Sequence, residues 1–258
     1  MGKIITLITD FTTTDGYMGA VYGVIKSINP EAEIITIAAN IPPADIRKAA
    51  RALYNSYRFY PEGTIHIVVV DPTVGQRRRA LLITDGKYFF VGPDNGVLTP
   101  VIMNSANFEC YRIDNVKYRL SDQSETFHGR DLFAPAAAYL SLGVSPDEFG
   151  PAITDPVKIV DPEPERIGNE LIGMVIDIDA FGNLVTNIPG DMVNNDSTFI
   201  FCNHVIKGLS KSYADVEEKQ PLAYIGSFGN LEIGINRGNA ANFFGSSLFD
   251  EVRIISSE

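Results

Sequence analysis

Residues 65–70 read Ile-His-Ile-Val-Val-Val, a β-branched apolar run that stops at Asp71-Pro72. A run of that length and composition makes one buried strand. Pro72 has no N–H to give and cannot extend a central ladder, so Asp71 stands where the strand ends. Gly75 lets the chain turn, Arg77, Arg78 and Arg79 follow, and residues 80–84 read as the next strand. A carboxylate at the carboxyl end of a buried strand, with guanidinium groups close behind, lies where open α/β sheets build sites. The plainer reading is a charged loop in which Asp71 pairs with an arginine for structure alone. The neighbouring loops have to decide between the two.

Upstream, residues 3–9 are strand-like and end at Asp10, a polar FTTTDG loop follows, and residues 17–27 have a helical apolar face built on Tyr17, Val21, Val24 and Ile25. Asn29-Pro30 stops that helix. A second strand spans 33–37, and Asp45 caps an alanine-rich helix reaching Tyr57. Strand, helix, strand, helix, strand predicts a parallel sheet covered by helices. Downstream, Asp85-Gly86 joins strands 80–84 and 88–92 as a hairpin, Pro93-Asp94-Asn95-Gly96 is a turn, and a helix spans 132–142 with Asp131 as its cap.

Residues 146–168 are rich in Pro, Asp and Glu. From Glu170 short strands alternate with Gly, Asn and Pro turns, with no helix between them. The expected fold class is therefore α/β: an N-terminal, mostly parallel, helix-covered sheet domain over 1–152, a linker over 153–168, and a smaller C-terminal all-β, barrel-like domain over 169–258.

The chain has 258 residues and a net charge of -11, with no basic stretch longer than the arginine triplet, so nucleic acid is not an expected partner. No apolar run reaches the ~18 residues of a membrane span, and no signal peptide precedes the first strand, so no membrane partner is expected. Cys110 and Cys202 share no motif and read as buried thiols of a cytoplasmic protein. His66, His128 and His204 are not at metal-ligand spacing, so no metal site is expected. Neither the dinucleotide fingerprint nor the phosphate-binding loop is present.

Several loops carry polar residues without an evident structural duty. Asp10 would share a sheet edge with Asp71, and a carboxylate there suits a ribose diol. Asp15 either contacts a ligand or caps the helix after it. His128 precedes a helix and titrates near neutrality, as a proton relay must, or is simply a loop histidine. Asn183 offers both a donor and an acceptor and Phe181 a stacking face, as an adenine requires; a Gly-Asn turn explains the same residues. Tyr213 and the small-residue loop around Ser227 complete the set.

In order along the chain, ITDFTTTDGYMGAVYG, IPPADI, VVVDPTVGQRRR, VGPDNGVL, TFHGRDLFAPAAAYL, DAFGNLVTNI and YIGSFGNLEIGINRGNAA resemble the S-adenosylmethionine hydroxide adenosyltransferases, relatives of the fluorinase and chlorinase. The resemblance implies an N-terminal α/β domain, a C-terminal β-barrel, and a homotrimer with ligand between subunits. It implies catalytic roles for Asp71, Arg78 and His128. It implies substrate-binding roles for Asp10 (ribose), Asp15 and Asp179 (methionine part), Phe181 and Tyr213 (adenine faces), Asn183 (adenine edge) and Ser227 (carboxylate). Thr73 stands where the family usually has glycine, and the spacing from Asp179 to Phe181 differs from that of the halogenases. The halogenases have an aromatic at the Asp71 position and a Tyr-Ser-like pair at His128-Gly129, so halide chemistry is not expected.

The implied reaction is hydrolysis of S-adenosylmethionine to adenosine and methionine. Methionine leaves a sulfonium as a neutral thioether, so the site needs only an in-line water or hydroxide at C5′ and no cofactor. Two other readings remain: a non-catalytic S-adenosylmethionine sensor, and a metal-dependent nucleoside hydrolase using the N-terminal aspartates.

Overall fold

In the computed structural model, residues 3–122 and 124–255 are described, and the chain divides into two units, 1–160 and 161–258. In the first unit, β1 (Ile4–Thr9) lies between β2 (Glu33–Ala38) and β3 (Ile65–Val69), parallel to both. Two helices, α1 (Tyr17–Ile28) and α2 (Ile46–Ser56), make the crossovers. Ile65, Ile67 and Val69 enter one apolar core and Val68 and Val70 the other, on opposite faces of the sheet. That two-sided burial is why the run is continuously apolar rather than alternating. The Asp45 carboxylate caps α2 by accepting from Lys48 N at 2.9 Å.

The sheet continues through a hairpin. β4 (Ala80–Thr84) and β5 (Phe89–Pro93) are antiparallel, but β5 inserts beside β3 and parallel to it, leaving β4 outside. Two elements carried no clear sequence signal: the short helix α3 (Thr99–Asn104) and the edge strand β6 (Glu109–Arg112), which closes the order β2-β1-β3-β5-β4-β6. The last helix, α4 (Ala134–Ser141), is preceded by a π-helical turn over Gly129–Phe133. Asp131 therefore does not cap the helix. It is buried inside the π turn, where it accepts from Ser124 N at 2.7 Å and pairs with Arg130 at 2.5 Å. A side chain one turn inside a helix cannot reach the amides that a cap serves.

The second unit is an antiparallel sheet built from β7 (Glu165–Ile167), β8 (Glu170–Ile178), β9 (Leu184–Pro189), β10 (Thr198–Phe201), β11 (His204–Lys207), β12 (Pro221–Ile225), β13 (Asn230–Ile235) and β14 (Glu251–Ile255). Its order is β11-β10-β14-β8-β9-β13-β12, with β7 on β8. A bridge from Leu209 to Ala223 joins the two ends and nearly closes a barrel. Closure removes the exposed edges that would otherwise pair with other chains.

The structure corrects two expectations in this part of the chain. A short helix, α5 (Ala240–Phe244), capped by the Asn239 side chain, lies among the strands; five residues are too few to show helical periodicity in a sequence. Cys110 is buried, but Cys202 is exposed, in a tight turn between β10 and β11 with positive φ at both Cys202 and Asn203.

Candidate active site

The register of β1 on β3 pairs Thr9 with Val69, so Asp10 and Asp71 leave the sheet at the same edge. Asn95, from the turn after β5, donates to Val70 O at 2.9 Å and holds the end of that strand beside Asp71. The loop after Asp71 returns over the edge and places Arg78 on it. Arg78 Nε donates to Asp71 Oδ2 at 2.8 Å, and Nη2 lies 2.5 Å from the same oxygen. Thr73 Oγ1 donates to Asp71 Oδ1 at 3.1 Å. The two charged side chains are only 8% and 5% exposed, and the guanidinium lies 5.3 Å from the Phe133 ring centre.

A second loop brings in the histidine. Arg78 Nη2 is 2.6 Å from His128 Nδ1. Gly75 sets this closeness: it adopts φ +79°, and a Cβ there would stand 2.8 Å from Glu125 O, so only glycine lets the two loops touch. Burial and the Arg78 charge both hold the His128 pKa below its ordinary value. Asp71, Arg78 and His128 are thus in one contiguous contact.

Asp71 and His128 face a cavity of about 260 Å³, with Asp10, Phe11, Asp15 and Tyr17 among the other walls. Asp10 Oδ2 accepts from Ala44 N at 3.3 Å, and burial, reinforced by the Asp71 charge, raises its pKa. Asp15 is exposed; Thr12 Oγ1 donates to it at 2.7 Å and Tyr17 N at 3.2 Å, and these bonds lower its pKa. Gly16, not Asp15, occupies the cap position of α1. Among the described residues no group of three or more His, Cys, Asp or Glu side chains could hold a metal ion.

In the second unit Phe181, Asn183 and Tyr213 line a separate pocket of about 360 Å³. Phe181 is 78% exposed, whereas Asn183 is buried. Asp179 shapes this turn: its carboxylate accepts from Phe181 N, Asn183 N and Asn183 Nδ2, each at 2.8 Å. Tyr213 and Tyr224 share a 2.7 Å hydroxyl contact, and Tyr224 donates to Glu232. Ser227 does not join the group. It is exposed in the β12–β13 hairpin loop, beside Asn230, whose strand partner is Pro189, at the far end of β9 from Asn183.

Against this geometry stand two family matches. Residues 5–150 match the SAM hydroxide adenosyltransferase N-terminal domain and residues 173–253 the C-terminal domain. The chain belongs to the SAM hydroxide adenosyltransferase family. It is 36% identical to an (R)-S-adenosyl-L-methionine hydrolase of Methanocaldococcus jannaschii, across 98% of this chain and 95% of that one. It is 33% identical to the enzyme of the same name from Thermus thermophilus, across 96% and 98%. A fluorinase from an Actinoplanes species is 30% identical across 72% of this chain and 71% of its own length. A crystal structure of an uncharacterized conserved protein from Thermotoga maritima superposes with a TM-score of 0.90 at 35% identity, covering 98% of this chain and all of that one.

Within this family frame the structure gives site contacts to residues for which sequence reasoning assigned no role in the site. Thr73, a departure from the family glycine, hydrogen-bonds the Asp71 carboxylate. Phe11, Tyr17 and Phe127 form an aromatic cluster on the cavity wall, with ring centres 4.9–5.9 Å apart. Asp131 anchors the segment that carries His128. Their sequence signal is only proximity to Asp10, Asp71 and His128, because burial of a ring or carboxylate depends on partners distant in the chain.

Proposed function

We propose that this protein hydrolyses S-adenosylmethionine to adenosine and methionine, by in-line attack of water or hydroxide on C5′ of the ribose. The observation that carries this reading is the direct contact of Arg78 with both Asp71 and His128, which stand at the wall of a cavity that Asp10 also lines. The sulfonium substrate is already activated, so the residues need only hold a nucleophile on the line of the C5′–S bond. Arg78 stays cationic and favours hydroxide character beside it. Because Arg78 occupies His128 Nδ1, the histidine turns its Nε2–H toward the solvent molecule and orients it. That leaves Asp71 as the group able to accept the proton. No cofactor enters this scheme.

Asp10 is assigned to the ribose hydroxyls, Asp15 to the methionine part, Asn183 to the adenine edge, Phe181 and Tyr213 to the adenine faces, and Ser227 to the methionine carboxylate. The three bonds that Asp179 already accepts favour a role in shaping the adenine turn over direct contact with the methionine amine. Assembly as a homotrimer, with substrate held between subunits, agrees with the high exposure of the Phe181 ring. A cytoplasmic location agrees with two free cysteines, one of them exposed.

The deciding experiment is turnover of S-adenosylmethionine in ¹⁸O-water, with adenosine and methionine followed by mass spectrometry. Label in the 5′-oxygen is expected, and its absence excludes the scheme. Asp71→Asn is expected to lower kcat by about 10²-fold or more while KM changes little. Tight binding with no adenosine released over hours would instead make the protein a sensor.

A further inference from the structure

Behind the triad lies a second cavity, of about 290 Å³, with a different lining. Five arginines face it: Arg77, Arg78, Arg79, Arg112 and Arg119. They are five of the 21 lysines and arginines in a chain of net charge -11, and three of them are consecutive. Two of the five are neutralised by nearby carboxylates. Arg78 pairs with Asp71, and Arg79 pairs with both Asp94 and Asp155. Of the other three, Arg112 and Arg119 share one acid, Asp114, which pairs with Arg112 and lies 3.7 Å from Arg119. Arg77 is exposed and pairs with no carboxylate among the described residues.

The hydrogen bonds show the same deficit. Arg119 Nη2 donates to Ile113 O at 2.6 Å and an Arg112 terminal nitrogen binds Asp114, but the Nε atoms of both side chains are buried without a partner. Buried donors on a cation normally find an acceptor. Burial lowers the Arg119 pKa, and the Arg112 charge adds to that against the opposing charge of Asp114, so the one acid on the cavity wall does not balance the arginines around it.

We infer that this cavity is a binding site for a small tetrahedral oxyanion of the phosphate class, held by Arg77, Arg112 and Arg119. Three guanidinium groups reach it from three segments: the end of the loop after β3, the last residue of β6, and the turn after Tyr118. A carboxylate is satisfied by one planar fork, whereas an anion with four oxygens can accept from several directions at once. His128 lines both cavities, so the anion would sit on the rear face of the residue that bears on the nucleophile.

The test is titration of the full-length protein with inorganic phosphate at low, fixed ionic strength, by calorimetry and ³¹P NMR, with sulfate as a second probe. Saturable binding of one phosphate per chain is expected. Arg119→Gln and Arg112→Gln are each expected to weaken it about ten-fold or more, and the exposed Arg77→Gln by several-fold. Arg253→Gln, on a strand of the other unit, is expected to leave it unchanged. Circular dichroism and Tm identify any variant that fails to fold, and Arg77→Gln, with an exposed side chain, keeps the test decisive. Absence of saturable binding, or binding indifferent to all three substitutions, overturns the assignment.

Discussion

Arg78 Nη2 lies 2.6 Å from His128 Nδ1, and that contact decides which ring nitrogen carries the proton. A guanidinium has only donors, so Nδ1 accepts and the neutral ring holds its proton on Nε2. Adding a proton at Nδ1 would set two donors against each other. Burial and Arg78 oppose the charged ring as well, so its pKa lies below the ordinary 6.5 and the ring is neutral at pH 7. Turnover is therefore expected to be insensitive to His128 above pH 6.5, and to fall only as pH drops through the lowered value. His128→Asn, which keeps an acceptor for Arg78, is expected to retain more kcat than His128→Ala and to lose that acid limb. A limb centred above 6.5 would contradict this tautomer.

Gly75 is where the Asp71 loop and the His128 loop meet. Alanine at φ +79° is strained, and its methyl would stand 2.8 Å from Glu125 O. Gly75→Ala is expected to lower stability by about 1–3 kcal/mol and to reduce kcat by separating Arg78 from His128. Urea unfolding and steady-state kinetics on one preparation check both. Gly86→Ala, also at positive φ but with open space around its Cβ position, is the control for strain alone.

Phe181 separates binding from folding. Its ring is 78% exposed, so Phe181→Ala is expected to change Tm little. Loss of a base-stacking face is worth about 1–3 kcal/mol, so KM for S-adenosylmethionine should rise roughly ten-fold or more. The kcat at saturation should stay nearly constant. An unchanged KM would remove Phe181 from the adenine site.

His66 makes acid stability testable apart from catalysis. It is fully buried, stacks on Phe90, and has one hydrogen bond, to Thr6 Oγ1 at 2.7 Å, with Nε2 unpartnered. Burial pushes its pKa down to about 3. The unfolded chain, with a pKa near 6.5, binds the proton first, so this group weakens the fold as pH falls below 6.5 and down toward 3. Between pH 7 and pH 5 the loss is about 2 kcal/mol. Urea titrations at the two pH values measure it, and the Thr6→Val/His66→Phe pair should shrink the difference by most of that amount.

Much of this was legible in the sequence for a reason that each element shows locally. The run at 65–70 is apolar on both faces because both faces are covered, so a buried strand could be read from it directly, and the parallel sheet from the alternation of strands and helices around it. Asp45, three residues before Lys48, announces its own cap. Asp131 looked like the same signal and was not, because the π turn moved it inward. The helix at Ala240–Phe244 and the strand at Glu109–Arg112 were too short to carry a period.

The sequence by itself determined the two-part architecture, the sheet edge that carries Asp10 and Asp71, and the membership of Arg78 and His128 in the same set of loops. The first two follow from periodicity and chain breaks, which are local properties, and the third is what the family resemblance implies. Only the tertiary structure decided that Arg78 touches both Asp71 and His128, that Asp179 is committed to the Phe181–Asn183 turn, and that five arginines converge behind the histidine. Contacts between residues about 50 positions apart depend on how loops cross a sheet edge, and nothing in a local pattern encodes the last few ångströms of that crossing.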